Sequence, residues 1–213
     1  MLSRRQVAGV FGLALVSVLA PRGAGAEGFA IGVEGGFYDM TNASNSAKAV
    51  FDGKSGGPTF GGLARVDLGR SFFVGVGARL FRKDGERAFV ADKDGPAFSL
   101  GHPLKVRVLP VYGLLGYRLR HDAALTPYVG LGVGLTSYHE ESDVAGDVTK
   151  VSTSKVSGHA VAGLEYGRSR LRFAVEGMYT TAPNTIGLEG VSKVYEEDDV
   201  GGLSVVGRIV FRP

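Results

Sequence analysis

The chain has four histidines, at positions 102, 121, 139 and 159, and the last of them lies within an expected strand with a serine two residues before it. In an extended strand, side chains two apart share a face. Ser157 and His159 therefore stand side by side, as a nucleophile and its general base must. The carboxylate that would complete a hydrolytic set is not within reach on that strand. Glu165 lies six residues on, about 20 Å along a strand, and Glu34 or Glu176 could approach only across a sheet closed on itself. The pair reads as polar lining, and hydrolysis stands as the alternative. His102 and His139 fall in or beside long connections and His121 in a turn.

Other chemistry is weaker. Glu140-Glu141-Ser142-Asp143 and Glu196-Glu197-Asp198-Asp199 could gather a divalent cation, but they lack the glycine and alternating ligands of a calcium loop. They read as solvated loop charge. Gly130, Gly132 and Gly134 alternate with apolar residues inside a strand and no helix follows, so they do not form a phosphate loop. No catalytic residue, cofactor or metal site is assigned.

A more informative set is Glu34, Arg65, Asp67, Arg79, Glu165, Arg172, Glu176 and Arg208. These charges of both signs share one parity with glycines such as Gly32, Gly36, Gly75 and Gly77, while the other parity is apolar: Phe29, Ile31, Val33, Phe37; Val74, Val76, Ala78, Leu80; Leu203, Val205, Ile209, Phe211. Glycine on a water-facing strand weakens it without a packing benefit, whereas inside a narrow barrel it makes room for long neighbours. Buried charges must pair, and both signs are present. The expectation is an interior of paired charges and an apolar face turned to lipid, opposite to a lipocalin-like soluble barrel, which stands as a further alternative.

The elements that would position these residues alternate with period two, and no helix of comparable clarity follows residue 26. Eight strands are expected at 29–38, 59–68, 72–82, 105–118, 127–138, 156–166, 171–180 and 202–212, most near the ~9 to 11 residues of a tilted transmembrane strand. Their connections alternate long and short, which puts four long loops at one end and both termini at the other. The fold class is all-β: an eight-stranded antiparallel up-and-down transmembrane β-barrel. Phe37, Tyr38, Phe60, Phe81, Tyr138 and Tyr179 are expected in one aromatic girdle, and Phe29, Phe72, Tyr117, Tyr128, Tyr166 and Phe211 in the other. Residues 108–115 are apolar on both parities and contain Pro110, so their faces are unassigned and the stretch has room for a bulge or an edge irregularity. Eight strands leave an interior only wide enough for side chains, which disfavours a wide pore.

Arg4 and Arg5, the apolar run 7–20 and Ala24-Gly25-Ala26 have the order of a signal peptide. Residues 1–26 are read as a cleaved signal, with a Sec signal preferred over a twin-arginine one, and 27–213 as one barrel domain. The formal charge of +3 resides in that leader, which holds three arginines and no acid. The remainder is neutral, and a nucleic-acid partner is not expected. The absence of cysteine suits passage through an oxidising compartment.

With the strands placed, the chain resembles the small outer-membrane β-barrel family that includes the OmpA transmembrane domain and the opacity-type outer membrane proteins. The resemblance spans all eight strands. It rests most on Thr126-Pro127-Tyr128-Val129-Gly130-Leu131-Gly132-Val133-Gly134 and on the closing Leu203-Ser204-Val205-Val206-Gly207-Arg208-Ile209-Val210-Phe211, which is followed here by Arg212 and Pro213. It implies an outer membrane of the Gram-negative type, contact with lipid and lipopolysaccharide, insertion by the barrel assembly machinery, and an extracellular ligand met through the four long loops. Family members include structural anchors and adhesins, and occasionally lipid A-modifying hydrolases, the enzymatic alternative here.

Overall fold

A computed structural model describes residues 26–120, 123–144 and 146–213. Residues 1–25, nearly all of the segment expected to be a signal, and His121 lie outside the described residues. Eight antiparallel strands run β1 Ala26–Asp39, β2 Gly56–Leu68, β3 Phe72–Val90, β4 Ala97–Arg118, β5 Leu125–Val144, β6 Asp147–Tyr166, β7 Leu171–Thr181 and β8 Gly202–Phe211. Each pairs with the next, and β1 pairs with β8 from Ile31↔Phe211 to Asp39↔Leu203, closing an up-and-down barrel.

Period-two alternation decides the faces. Val33 is 68% exposed and Leu131 and Val133 each 71%, whereas Arg79, Glu165 and Glu176 are at most 2% exposed. The apolar parity is therefore outside and the charged parity inside. Phe37, Phe60 and Tyr179 ring the long-loop end outside, and Phe29, Phe72, Tyr117, Tyr166 and Phe211 ring the short-turn end. Four expected girdle members are not there. Tyr38, Phe81, Tyr138 and Tyr128 are buried, because each sits on the inward parity of its strand.

Residues 108–115 are also resolved by parity. Val108, Tyr112 and Leu114 are buried, and Val111 and Leu115 exposed. The register runs unshifted from Ala78↔Val111 to Phe81↔Val108, with no bulge at Pro110, and the β3–β4 shift falls between Glu86 and Ala88.

Two of the four long connections are strands rather than loops. β3 and β4 stay paired out to Val90↔Ala97, and β5 and β6 to Val144↔Asp147. The other two fold inward. The β1–β2 connection carries a 3-10 turn, Thr41–Ala43, and a helix α1, Ser44–Val50. The β7–β8 connection carries α2, Val191–Tyr195.

Candidate functional site

The barrel interior is layered from the short-turn end upward. In the lowest layer Arg65, Arg118, Arg172 and Arg212 surround Asp67 and Glu165. Arg65 Nη2 lies 2.5 Å from Glu165 Oε2, Arg172 Nη1 3.1 Å from Glu165 Oε1, and Arg212 Nη1 2.8 Å from Asp67 Oδ2. Arg118 donates to Asp67. The guanidiniums of Arg65 and Arg118 also lie 5.3 and 5.2 Å from the centre of the Phe73 ring, within cation–π range. Four cations against two anions leave this end positive.

The next layer is balanced. Arg79 Nε donates to Glu34 Oε1 at 2.5 Å, Arg208 Nε to Glu34 Oε2 at 2.7 Å, and Arg208 Nη2 to Glu176 Oε1 at 2.9 Å. Arg79 also reaches Glu176 and, through Nη1, Ser204 Oγ at 2.7 Å. Tyr128 completes Glu176 with a 2.7 Å hydrogen bond to Oε2. Strands β1, β3, β7 and β8 thus meet across the lumen, and the Glu34–Arg208 pair spans the closing seam of the barrel.

These layers hold all eight charges singled out from the sequence and bring them into contact; only Arg172 is partly exposed. Arg118, Arg212 and Ser204 belong to the same networks without having been singled out, and so does Tyr128, expected instead in a girdle. Arg118 follows the stretch of unassigned face, and Arg212 lies past the last alternating residue. The interior is not all charge. Leu63, Phe73, Tyr112, Leu114, Tyr128, Val161 and Met178 form a buried cluster, seated over glycines. A Cβ on Gly116 would lie 2.0 Å from the Phe73 ring and one on Gly163 2.4 Å from Tyr128, while one on Gly32 would lie 2.9 Å from Arg208. Glycine here makes room for rings as well as for arginines.

Above the balanced layer Ser157 Oγ lies 3.0 Å from His159 Nε2, and His159 Nδ1 is 3.1 Å from Thr180 Oγ1. Both imidazole nitrogens thus face hydroxyls, the Tyr112 ring lies against the imidazole at 4.9 Å between centroids, and the pair is buried inside the barrel. A neighbouring cavity of about 10 Å³ lined by Thr59, Arg79, Thr136, Thr180 and Ser204 has room for about one water.

The long-loop end is closed by an apolar plug in which Met40, Ala47 and Phe51 meet Phe81, Leu104, Val106 and Tyr138. Acidic residues read as solvated loop charge hold it in place. Glu197 accepts from the backbone N–H groups of Asn45 at 3.1 Å and Ser46 at 2.7 Å, at the start of α1. Asp199 accepts from Asn42 Nδ2, Thr181 Oγ1, Ala182 N and Gly201 N at 2.9, 2.8, 2.7 and 2.6 Å. Lys83, beneath α1, donates to the carbonyls of Lys54 and Gly56 and lies 4.7 Å from the Phe51 ring centre. Desolvation followed by repulsion from Lys54 moves its pKa down.

Beside the plug, β3 to β6 rise past the other four strands as a paired sheet. β6 meets β7 only from Gly158↔Thr181 downward, so residues 147–157 form a strand with one edge unpaired among the described residues. Val148, Val151 and Val156 on it are exposed. His102 and His139 sit in this sheet, not in loops. His139 Nδ1 is 2.6 Å from Ser152 Oγ, and Glu141 pairs with Lys150 at 2.9 Å, which holds its carboxyl below the usual range. Between α1, α2 and the inner face of the sheet is a crevice of about 250 Å³. Ser46 Oγ and Ser142 Oγ on its lining are buried without a hydrogen-bond partner among the described residues.

Comparison with known proteins gives a consistent result. A family model described as outer membrane protein beta-barrel domain matches residues 8–200. No curated protein matches. Among solved structures, Neisserial surface protein A superposes with a TM-score of 0.54 at 13% identity, over 88% of this chain and 98% of that one. A major outer membrane protein from Thermus thermophilus gives 0.54 at 11% identity, over 87% and 98%. The attachment invasion locus protein of Yersinia pestis, in complex with the heparin analogue sucrose octasulfate, gives 0.50 at 15% identity, over 87% and 99%. At such identities the likeness is one of fold.

Proposed function

The chain belongs to the family of outer membrane protein beta-barrel domains, and from that premise we propose that it is a closed, non-enzymatic outer-membrane anchor that presents a protruding sheet to extracellular partners. On this reading residues 1–26 are a signal peptide removed on export, the assembly machinery inserts the barrel, lipid and lipopolysaccharide surround the apolar band, and the charge layers close the lumen to solutes.

The observation that carries the surface role is the unpaired edge of β6 over residues 147–157. A free edge offers a row of backbone donors and acceptors to an extended segment, and such pairing gives affinity while alternate side chains give selectivity. The sucrose octasulfate complex of the Yersinia pestis relative supports ligand capture by barrels of this shape. Hydrolysis finds less support, because the Ser157–His159 pair faces Tyr112 and Thr180 inside the barrel, away from any membrane-borne ester.

Shortening the sheet tests the reading. Glu141 and Lys150 are directly paired, so replacing residues 142–149 with Asn-Gly closes a two-residue hairpin and removes the top of the free edge. The variant is expected to stay in the outer-membrane fraction with heat-modifiable gel migration. Intact cells carrying it should lose capture of extended peptides selected on cells carrying the parent chain. Undiminished capture would refute the edge as the contact surface.

A further inference from the structure

Sorting the charges by height gives a sharp division. Every lysine of the chain lies toward the long-loop end, where acids outnumber bases. The cations of the opposite rim are all arginine, and they outnumber its two acids, Glu27 and Asp122. Each short connection carries arginine: Arg70 between β2 and β3, Arg120 between β4 and β5, Arg168 and Arg170 between β6 and β7, all exposed. Among the described residues Arg70, Arg168 and Arg170 take part in no ion pair. The lumen does not offset them, because the layer just inside has four arginines on two carboxylates.

We propose that this rim is a clamp for the phosphate groups of anionic phospholipid in the leaflet facing the periplasm; the proposal rests on the outer-membrane reading. Three features select the occupant. Guanidinium forks bind phosphate bidentately and are more weakly hydrated than ammonium, and the rim has arginine in place of lysine throughout. Each arginine is flanked by outward apolar residues of the girdle, as with Leu68 and Phe72 around Arg70 or Tyr166 and Leu171 around Arg168 and Arg170, which fixes it at the edge of the hydrocarbon. The turns are short, Gly69 at φ 66° and Gly167 at φ 132° reversing the chain tightly, so the side chains end within the headgroup zone, about 6 Å deep on each side of the bilayer. The cell wall lies beyond that reach.

The test compares the full barrel with the variant Arg70→Gln, Arg120→Gln, Arg168→Gln, Arg170→Gln, and with Arg82→Gln, Arg107→Gln at the opposite interface as a control. Each is purified from mixed phosphatidylcholine and phosphatidylglycerol, and the retained lipids are counted by native mass spectrometry. The parent and the control are expected to retain phosphatidylglycerol preferentially, with the preference falling as salt rises. Each rim arginine removed should reduce it about fivefold, so the single variants Arg70→Gln and Arg168→Gln report even if the fourfold variant folds poorly. Equal retention by parent and rim variants in a barrel that still fractionates with the outer membrane would overturn the clamp and leave the anchor reading standing. Soluble recovery of the parent would overturn both. Rim-dependent sedimentation with purified peptidoglycan, with lipid retention unchanged, would make the rim a cell-wall contact and overturn the lipid proposal.

Discussion

Replacing Glu176 by glutamine keeps the shape of the side chain but withdraws the charge that both Arg79 and Arg208 face. Breaking a buried ion pair from one side costs about 3 to 5 kcal/mol, because the partner charges stay buried. Urea titration of the refolded barrel should show a loss of that size, and one below about 1 kcal/mol would mean that water or relaxation compensates the arginines. Gly116→Val tests packing instead. Its side chain meets the Phe73 ring, and overpacking of this kind costs about 1 to 3 kcal/mol, read in the same titration. Inward charges were legible in the sequence because a charge on the glycine parity of an apolar strand has only the lumen to occupy. Aromatics were less legible. Tyr38, Phe81, Tyr128 and Tyr138 suit a membrane interface and a lumen equally, and only their parity distinguishes the two.

At the scale of elements, the loss of legibility follows the membrane. Within the apolar band one face meets lipid and the other the lumen, and the alternation is strong. Past the band the outer face meets water instead of lipid, and a strand such as Asp147-Val148-Thr149-Lys150-Val151-Ser152-Thr153-Ser154 has no polarity pattern to give it away, so the paired tops of β3 to β6 read as loops. The short helices were hidden for a related reason, since α1 has seven residues and α2 five, too few for a 3.6-residue period to emerge. Asp199→Ala should release the β7–β8 connection from the β1–β2 connection while leaving the barrel intact, seen as rapid proteolysis near α2 with unchanged heat-modifiable migration. Retained protection would show that the plug holds without its acceptor. The β5–β6 hairpin should loosen in acid. Glu141 has a carboxyl pKa lowered by Lys150, so its stabilisation is complete above the ordinary glutamate range and disappears as pH falls through the lowered value. Amide exchange near the tip, corrected for its intrinsic pH dependence, reports this.

For the whole molecule, eight strands close with a lumen crossed by two charge layers and capped by an apolar plug, and the membrane band is bounded by aromatics at both ends. In a planar bilayer the barrel is expected to give no stepwise conductance, and steady channel steps from the parent chain would contradict a closed lumen. The seam between β1 and β8 bears on how such an object comes into being. Glu34 and Arg208 come from the first and last strands, so neither finds the other until the chain has gone full circle. A sheet left open in lipid would turn these charges toward hydrocarbon, the least tolerant solvent they could meet. The pair is therefore expected to act as a proofreading latch. Incomplete rings are disfavoured by the bilayer itself, and once shut the ring must break a buried charge pair in lipid before it reopens, a slow step, so that folding and unfolding curves taken in lipid over limited times should enclose a hysteresis loop.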